Sequence, residues 1–409
     1  MATDIKDTVH AVDAAAVMGL LATRPRVLAL GEPTHGEDAL LDVRNELFRQ
    51  LVEEEGYRTI AIESDCLAAL LVDAYVTSGV GRLDEVMERG FSHGLGDSAA
   101  NRELVGWMRA FNEGRPAPEQ LRFAGIDGPL EWTGAASPRQ ALTALLDHLA
   151  PHVDADLLPC TAHTLDRLLG ADDRWTEPAA MTDPARSTGR TAEAVELRLL
   201  ADDLVALFDA HTPHLITATS REEWERVRLY GRTAVGLLRY HYWMADTSPG
   251  RMARLTGLRD LMMADNLLAL AERGPTLVHA HNSHLQRERS SMRMGGRPLH
   301  WWSAGSIASA RLGGGYAFFA TALGTIRHRG VDTPRPGTLE GLLYALPDDV
   351  CVVDSPGLGA ALAGTLAAPR ASAWFGYFPF DPDHLAATDG LVFIKDIPQG
   401  RAASTCRDR

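Results

Sequence analysis

The sequence predicts an α/β fold, with a mostly parallel central sheet flanked by helices. The first observation is a strand–helix–strand unit: the run VLALGE ends at Glu32, a helix follows over 38–55, and TIAIE ends at Glu63. The second is that both strands are continuously apolar, as is typical of a sheet covered on both faces. The third is that apolar strand patterns return after residue 275.

The first helix and the later strands follow from similar local patterns. Leu40, Leu47 and Leu51 recur at helical spacing, and Gly56 ends the helix. Further strands are predicted at LRFAGID (121–127), PTLVHAH (275–281), YAFFATAL (316–323), CVVD (351–354) and LVFIKD (391–396).

The middle of the chain carries a different pattern. Four long segments between 136 and 274 place apolar residues at helical spacing, and no strand pattern interrupts them. We therefore predict an α/β core formed by 1–135 and 275–409. The helical insertion, 136–274, is expected to cover the carboxyl ends of the strands.

Composition narrows the class of partner. The chain has 409 residues, with 40 basic and 54 acidic side chains, a net charge of −14, which argues against a nucleic-acid-binding surface. No apolar run reaches the roughly 18 residues that a membrane span needs, and no secretory signal pattern is present. The four cysteines are scattered without a CxxC pair, so we expect a cytoplasmic protein: Cys66, Cys160, Cys351 and Cys406. Nothing in the sequence indicates an oligomeric state.

Titratable residues stand where four predicted strands end. Ligands of parallel α/β sheets bind beyond the carboxyl ends of the strands, so we expect these residues to share one site. In chain order they are Glu32 and His35, Glu63 and Asp65, Asp127, and the group His279, His281 and His284.

Arg44 lies on the apolar stripe of the 38–55 helix, four residues after Leu40 and three before Leu47. A buried arginine is costly unless it is paired, so we predict a carboxylate partner, Glu32 or Glu63. The alternative is an arginine at the edge of the stripe that extends its charged end into water.

Several catalytic motifs are absent. The chain has no GxSxG, HExxH or P-loop motif. The GLG at 357–359 follows a strand, but Leu362 replaces the third glycine of a dinucleotide-binding motif. The histidines of HAHNSH (279–284) have short spacings that would also fit a metal site, so a metallohydrolase that uses Glu32, His35, Glu63 and His281 stays an alternative.

The ordered motifs GEPTHGE, IAIESD, RDLMMADN and AHNSH, spread from about residue 26 to about 397, resemble the erythromycin esterase family. Members of that family open macrolide lactones. The resemblance implies a metal-independent hydrolase without a cofactor, in which a histidine activates water beneath a helical domain. The family's motif positions fall on Glu32, His35, Arg44, Glu63, His281 and His284.

The segment 91–103 departs from the family pattern. Related enzymes carry a Trp-rich stretch here, whereas this chain has small residues, with Gly94, Gly96 and His93. We therefore expect a pocket of different shape, with His93 and Asp127 contacting the substrate.

Roles for the remaining site residues follow from their chemistry. His35 is the expected general base, because its ordinary pKa near 6.5 suits proton transfer at neutral pH. Glu63 would either orient His35 or hold the water, and Glu32 would pair with Arg44. His281 would polarise the carbonyl or protonate the leaving alcohol. His284 and Asn282 would contact the substrate, Asn282 as a donor to the oxyanion.

These assignments lead to one preferred function and, besides the metallohydrolase, two others. The preferred one is hydrolysis of an ester or lactone in a bulky natural product, a small-molecule substrate such as a macrolactone. The alternative is a biosynthetic tailoring enzyme (cyclase, lyase or acyl transferase) that uses the same acid–base residues without net hydrolysis. A binding protein on a hydrolase fold is the third.

Overall fold

The computed structural model describes residues 5–131, 134–294, 296–362 and 368–399. The strands are Val9–His10 (β1), Val27–Glu32 (β2), Thr59–Asp65 (β3), Arg122–Asp127 (β4), Leu130–Glu131 (β5), Gly134–Ala135 (β6), Thr276–His281 (β7), Ser290–Met294 (β8), Arg297–Trp301 (β9), Tyr316–Thr325 (β10), Val350–Asp354 (β11) and Gly390–Asp396 (β12). Every strand predicted from the sequence is present.

Helices connect and cover these strands. They are Ala14–Gly19 (α1), Asp38–Glu54 (α2), Ala69–Ser78 (α3), Leu83–Arg89 (α4), Ala99–Asn112 (α5), Arg139–Leu149 (α6), Ala162–Leu169 (α7), Ala192–Ala210 (α8), Thr212–Ala218 (α9), Arg221–Met244 (α10), Arg251–Ala271 (α11), Asn282–Leu285 (α12), Ala304–Leu312 (α13), Leu339–Tyr344 (α14) and Ser355–Ala361 (α15). None of the helices in the described ranges is long and apolar enough to cross a bilayer.

The central sheet has eight strands in the order β1-β11-β12-β10-β2-β7-β3-β4. The six strands from β12 to β4 run parallel to one another, whereas β11 is antiparallel to both of its neighbours. The predicted fold class, α/β with a mostly parallel sheet, is therefore confirmed. Strands β2, β7 and β3 are consecutive neighbours, so their carboxyl ends meet at one edge.

The strands are apolar throughout because both faces of the sheet are covered. Leu28, Ile60 and Leu277 pack in one apolar layer, which also takes in residues of α2, α3 and α5. Ala29 and Val278 point to the opposite face, where α11 and α13 pack. Alternate residues of one strand thus enter different cores, as the pleat of a strand requires.

The segment between residue 136 and 274 is helical, as predicted. Helices α6 to α10 build most of a third apolar cluster, which includes Leu145, Leu197 and Leu238 and also takes in Cys66 and Leu67 after β3. Helix α11 differs, because its Met263 and Leu267 pack on the sheet. The division of the chain at 135 and 275 stays a prediction. Helix α11 lies within the predicted insertion but packs against the core sheet.

Three of the cysteines, Cys66, Cys160 and Cys351, are buried thiols without a disulfide, and Cys406 lies outside the described residues. The cytoplasmic location inferred from them stays a prediction.

Candidate active site

The candidate site is at the carboxyl edge of β2, β7 and β3. Glu32 is the last residue of β2 and lies opposite His281, the last residue of β7, in the parallel register. Glu63 stands near the end of β3, where the register with β4 shifts between Ile62 and Asp65. Such a shift redirects side chains at the end of a strand. Glu32, Glu63 and His281, which were predicted to share one site, are therefore brought together, whereas Asp65 accepts the backbone N–H groups of Leu67 and Ala68.

His35 is held by Glu32. The Nδ1 atom of His35 is 2.6 Å from Oε1 of Glu32, and Gly36 directly after it adopts a left-handed φ of +81°, which favours glycine. The Nε2 atom of His35 is 3.7 Å from Oε1 of Glu63, and 46% of the His35 side chain is exposed. The imidazole is thus fixed through one nitrogen and accessible at the other.

Two carboxylates stabilise the protonated form of His35. Burial favours the neutral ring, but Glu63 and Glu32 outweigh it and raise the pKa of His35 to about 9. The pKa of His35 therefore lies above the ordinary histidine value near 6.5, because two negative charges lie beside the ring.

Glu63 is the central carboxylate. Its Oε1 accepts a hydrogen bond from Nη2 of Arg259 at 2.9 Å and lies 3.4 Å from Nε2 of His284. Its Oε2 accepts from the backbone N–H of His281 at 2.8 Å. Burial alone would raise the pKa of Glu63, but His284, His35 and Arg259 hold it well below its ordinary value. Glu63 is therefore ionised.

His284 forms a second imidazole–carboxylate pair. Its Nδ1 is 3.0 Å from both oxygens of the buried Asp260, and Oδ1 of Asp260 also accepts the backbone N–H of Ala304 at 2.8 Å. Burial opposes the charge on His284, but Asp260 and Glu63 raise its pKa. Glu63 thus lies between two imidazoles that are each held by another carboxylate.

His281 is a neutral donor. Its Nδ1 accepts the backbone N–H of Ser283 at 3.2 Å and contacts the Ser283 hydroxyl at 2.7 Å, so the ring proton is on Nε2. That Nε2 is buried and has no hydrogen-bond partner within the described residues. Burial, followed by the charge of His35, lowers the pKa of His281 to about 3. The ring is 5.3 Å from the ring of His35.

His279 was predicted to stand at the same strand end, and it is buried beneath this group. Its Nε2 is 3.8 Å from Oε2 of Glu32. Burial lowers the pKa of His279 to about 4, so it stays neutral there.

Arg259 is a residue that the sequence reasoning missed. Its Nε and Nη2 donate to Oδ2 of the buried Asp127 at 2.9 and 2.6 Å, and Nη2 also reaches Glu63. Asp260, the next residue in α11, was missed as well. The signal was present in the motif RDLMMADN, where an adjacent Arg–Asp pair begins an apolar helical segment.

His93 and Asp127 belong to the same network. The Nε2 atom of His93 is 3.0 Å from Oδ2 of Asp127, and its Nδ1 is 2.9 Å from Oε2 of Glu131. His93 has a left-handed φ of 56°, unusual for a residue other than glycine. Asp127 is fully buried, and its carboxylate contacts Arg259 and His93 where a substrate contact had been expected.

The predicted pair of Arg44 with Glu32 is wrong. Arg44 is buried, as its place on the apolar stripe indicated, but Nη2 donates to Oδ1 of Asn45 at 2.7 Å and to Oδ1 of Asn101 at 2.8 Å. Burial lowers the pKa of Arg44 to about 10, and the charge of Glu32 partly offsets this effect. Glu32 instead hydrogen-bonds His35, the role that had been given to Glu63.

Both polar atoms of the Asn282 side chain bind the backbone of Thr321, in place of the predicted contact with a substrate. Its Nδ2 donates to the carbonyl of Thr321 at 2.8 Å, and its Oδ1 accepts the N–H of Thr321 at 3.1 Å. It crosses over Gly31, where a Cβ atom would come within 2.1 Å of Oδ1. The glycine before Glu32 is therefore required, because the Asn282 amide ties β7 to β10 across it.

Within the described ranges, no three His, Cys, Asp or Glu side chains are grouped so that they could hold a metal ion. Fold and site together define an α/β protein whose acid–base residues, His35 and His284 with their carboxylates, gather at the carboxyl edge of the sheet. The sequence model of the erythromycin esterase family matches residues 52–397. The chain belongs to the erythromycin esterase family.

Three solved structures share the fold. A Bacillus cereus protein is 16% identical with a TM-score of 0.70, covering 96% of both chains. A succinoglycan biosynthesis protein is also 16% identical with a TM-score of 0.70, covering 96% of this chain and 95% of its own. A mutant of the erythromycin esterase EreC in its open conformation is 18% identical with a TM-score of 0.63, covering 92% of both chains.

Proposed function

We propose that the protein is a metal-independent hydrolase that opens an ester or lactone in a bulky natural product, with water activated by His35. The observation that carries this proposal is the His35 imidazole, held by Glu32 at 2.6 Å, with its other nitrogen 3.7 Å from Glu63. Two atoms separated by 3.7 Å are close enough for one water molecule to hydrogen-bond both Nε2 of His35 and Oε1 of Glu63.

The reaction begins with neutral His35. Its Nε2 takes a proton from the water while the water oxygen adds to the ester carbonyl carbon, giving a tetrahedral oxyanion. Glu32 and Glu63 stabilise the imidazolium that forms, as the raised pKa of His35 indicates. In this step Glu63 also orients the water.

The unpartnered Nε2–H of His281 supplies a donor for the oxyanion. A neutral imidazole can donate without titrating during the reaction, and its lowered pKa keeps it neutral. Removing one such donor typically costs about 10²–10³ in kcat. His281 therefore takes the role that had been given to Asn282.

His284 supplies the second proton. Asp260 holds its Nδ1, and Nε2 points towards Glu63, so the protonated ring faces the same centre as His35. Collapse of the tetrahedral intermediate breaks the ester C–O bond, and His284 protonates the leaving oxygen. The products are a carboxylic acid and an alcohol, joined in one molecule when the substrate is a lactone.

A half-buried ring against His281 and exposed aromatic side chains near it support an apolar, bulky substrate. The Phe378 ring packs edge-on against His281 at 4.9 Å, and Phe375, 67% exposed, contacts Phe378 at 5.9 Å. Trp302, 61% exposed, lies two residues before Ala304, whose N–H binds Asp260. Exposed aromatic side chains at a site commonly provide apolar contact area for a ligand.

The test is to incubate the protein with a panel of macrolactones and other cyclic esters and to record product masses. A gain of one water is expected, and His35→Ala should slow it by about 10²–10⁴. His163→Ala removes an exposed histidine of the insertion and should leave the rate unchanged. A hydrolysis rate that survives in His35→Ala would refute the proposed role.

A biosynthetic tailoring enzyme is the second candidate. The observation that favours it is the Asp260–His284 pair, since an acid facing a base also serves cyclisation with loss of water or transfer of an acyl group. The product mass separates the two: loss of one water, or addition of an acceptor, would support this candidate and contradict hydrolysis.

A further inference from the structure

A positively charged cavity lies between α10 and the end of α11. Its volume is about 480 Å³. It is lined by Arg221, Trp224, Glu225, Arg228, Arg232, Ala269, Leu270, Glu272 and Arg273. Four arginines therefore face two glutamates in a protein whose net charge is −14.

Both glutamates are already paired. Glu272 lies 2.7 Å from Nη1 of Arg228, and Glu225 lies 2.9 Å from Nε of Arg273. No carboxylate that lines the cavity is therefore left to balance the positive charges of Arg221 and Arg232. Arg221 lies over the ring of Trp224, with its guanidinium carbon 5.4 Å from the ring centroid.

Arg232 is the distinctive residue of this cavity. Its Nε donates to Oδ1 of Asn266 at 2.6 Å, and within the described ranges no carboxylate oxygen lies within 4.0 Å of its guanidinium. Burial lowers the pKa of Arg232 to about 10; the nearby charges of Arg228 and Arg273 act in the same direction, whereas Cys66 and Asp265 act against them. A partly buried cation crowded by other cations is unfavourable unless an anion binds beside it.

We propose that this cavity binds an oxyanion, the phosphate or carboxylate group of a small molecule, on Arg232. The planar guanidinium offers paired N–H donors that match either group, and the Nε atom is already committed to Asn266. Arg228 and Arg273 border the same space and reinforce the positive potential.

The anion site is separate from the candidate active site. Arg259, which binds Glu63, and Asn266, which binds Arg232, are seven residues apart in α11, a rise of about 10 Å. The bound anion is therefore a second ligand and not the ester itself, and this inference does not depend on the proposed hydrolysis.

Isothermal titration calorimetry with inorganic phosphate and with acetate, at constant ionic strength set with KCl, tests the site. Saturable binding of at least one anion is expected, weakened about tenfold or more in Arg232→Gln. Arg226→Gln is the matched control, because Arg226 lies in the same helix but pairs with Glu223 and does not line this cavity. No saturable binding to the intact protein, or equal binding by Arg232→Gln, would overturn the proposal.

A second variant changes binding in the opposite direction. The Glu272 side chain is 61% exposed, so Glu272→Gln should fold normally while it removes a negative charge from the cavity. Phosphate or acetate should then bind more tightly than to the unchanged protein. Unchanged or weaker binding would contradict the assignment, even if Arg232→Gln proved unstable. The anion that binds more tightly identifies the ligand as phosphorylated or carboxylated.

Discussion

Hydrolysis should accelerate as the pH is raised above neutrality, because His35 acts in its neutral form. With the pKa of His35 raised to about 9 by Glu63 and Glu32 against the effect of burial, about one molecule in a hundred carries the neutral ring at pH 7. The fraction rises to about one in ten at pH 8. Since kcat/KM reports the free enzyme, it should increase about tenfold over this interval and fall again at the higher pH where His284, the proposed acid, loses its proton.

The assay uses a neutral ester without titratable groups, so that the substrate itself does not change charge. Initial rates are measured from about pH 6 to about pH 10, and the rates of His35→Ala are subtracted to remove hydrolysis by hydroxide. A profile that is flat above neutrality, or one that rises with an apparent pKa near the ordinary histidine value, would refute the reasoning. Either result would mean that the His35 ring is not mostly protonated at neutral pH, or that it is not the base.

The source of the raised pKa is tested with Glu63→Gln. The charge of Glu63 is the largest single interaction that raises the pKa of His35, so removing it should move the rising part of the pH–rate profile to lower pH. The maximal rate should fall as well, since Glu63 also orients the water. If the rate falls but the apparent pKa of the pH–rate profile does not change, Glu63 positions the water without stabilising the His35 imidazolium.

Three further predictions concern the residues around this pair. Arg259→Gln should destabilise the protein by about 3–5 kcal/mol in urea unfolding, because Asp127 and Glu63 would be left as buried carboxylates without their cation; a loss below about 1 kcal/mol would contradict this. Asp260→Asn should lower kcat by about 10²–10⁴ because His284 loses the carboxylate that raises its pKa; unchanged turnover would exclude His284 as the acid. Phe375→Ala should raise KM about fivefold, the equivalent of ~1 kcal/mol of aromatic contact, whereas the equally exposed Leu199→Ala should not; equal effects of the two would remove Phe375 from the substrate site.

The sheet and the gathering of Glu32, His35, Glu63 and His281 could be predicted from the sequence for a physical reason. Continuous apolar strands specify a parallel sheet covered on both faces, and a parallel sheet places all its carboxyl ends at one edge. Residues that end different strands then meet even when they are far apart in the chain. The prediction required no knowledge of which strands are neighbours.

Hydrogen-bond partners could not be predicted in the same way. Burial of Arg44 followed from its place on the apolar stripe, but a guanidinium is satisfied by any acceptor within reach. Two amide oxygens provide the acceptors, and one of them, Asn101, is 57 residues away on α5. Arg259 could not be identified for a related reason: whether a charged residue within a helix meets water or a buried carboxylate depends on how that helix crosses the sheet.

The shared position of Glu63 explains how one site can hold both a base and an acid. His35 and His284 both face Oε1 of Glu63, at 3.7 and 3.4 Å, and both have raised pKa values. One carboxylate stabilises a single imidazolium more effectively than two at once. When the first of the two imidazoles loses its proton, the pKa of the other therefore rises. The form with a single proton is the one that hydrolysis requires, since His35 must accept while His284 still donates. Arg259, bound to the same oxygen, reduces the negative charge of Glu63 and favours departure of that first proton.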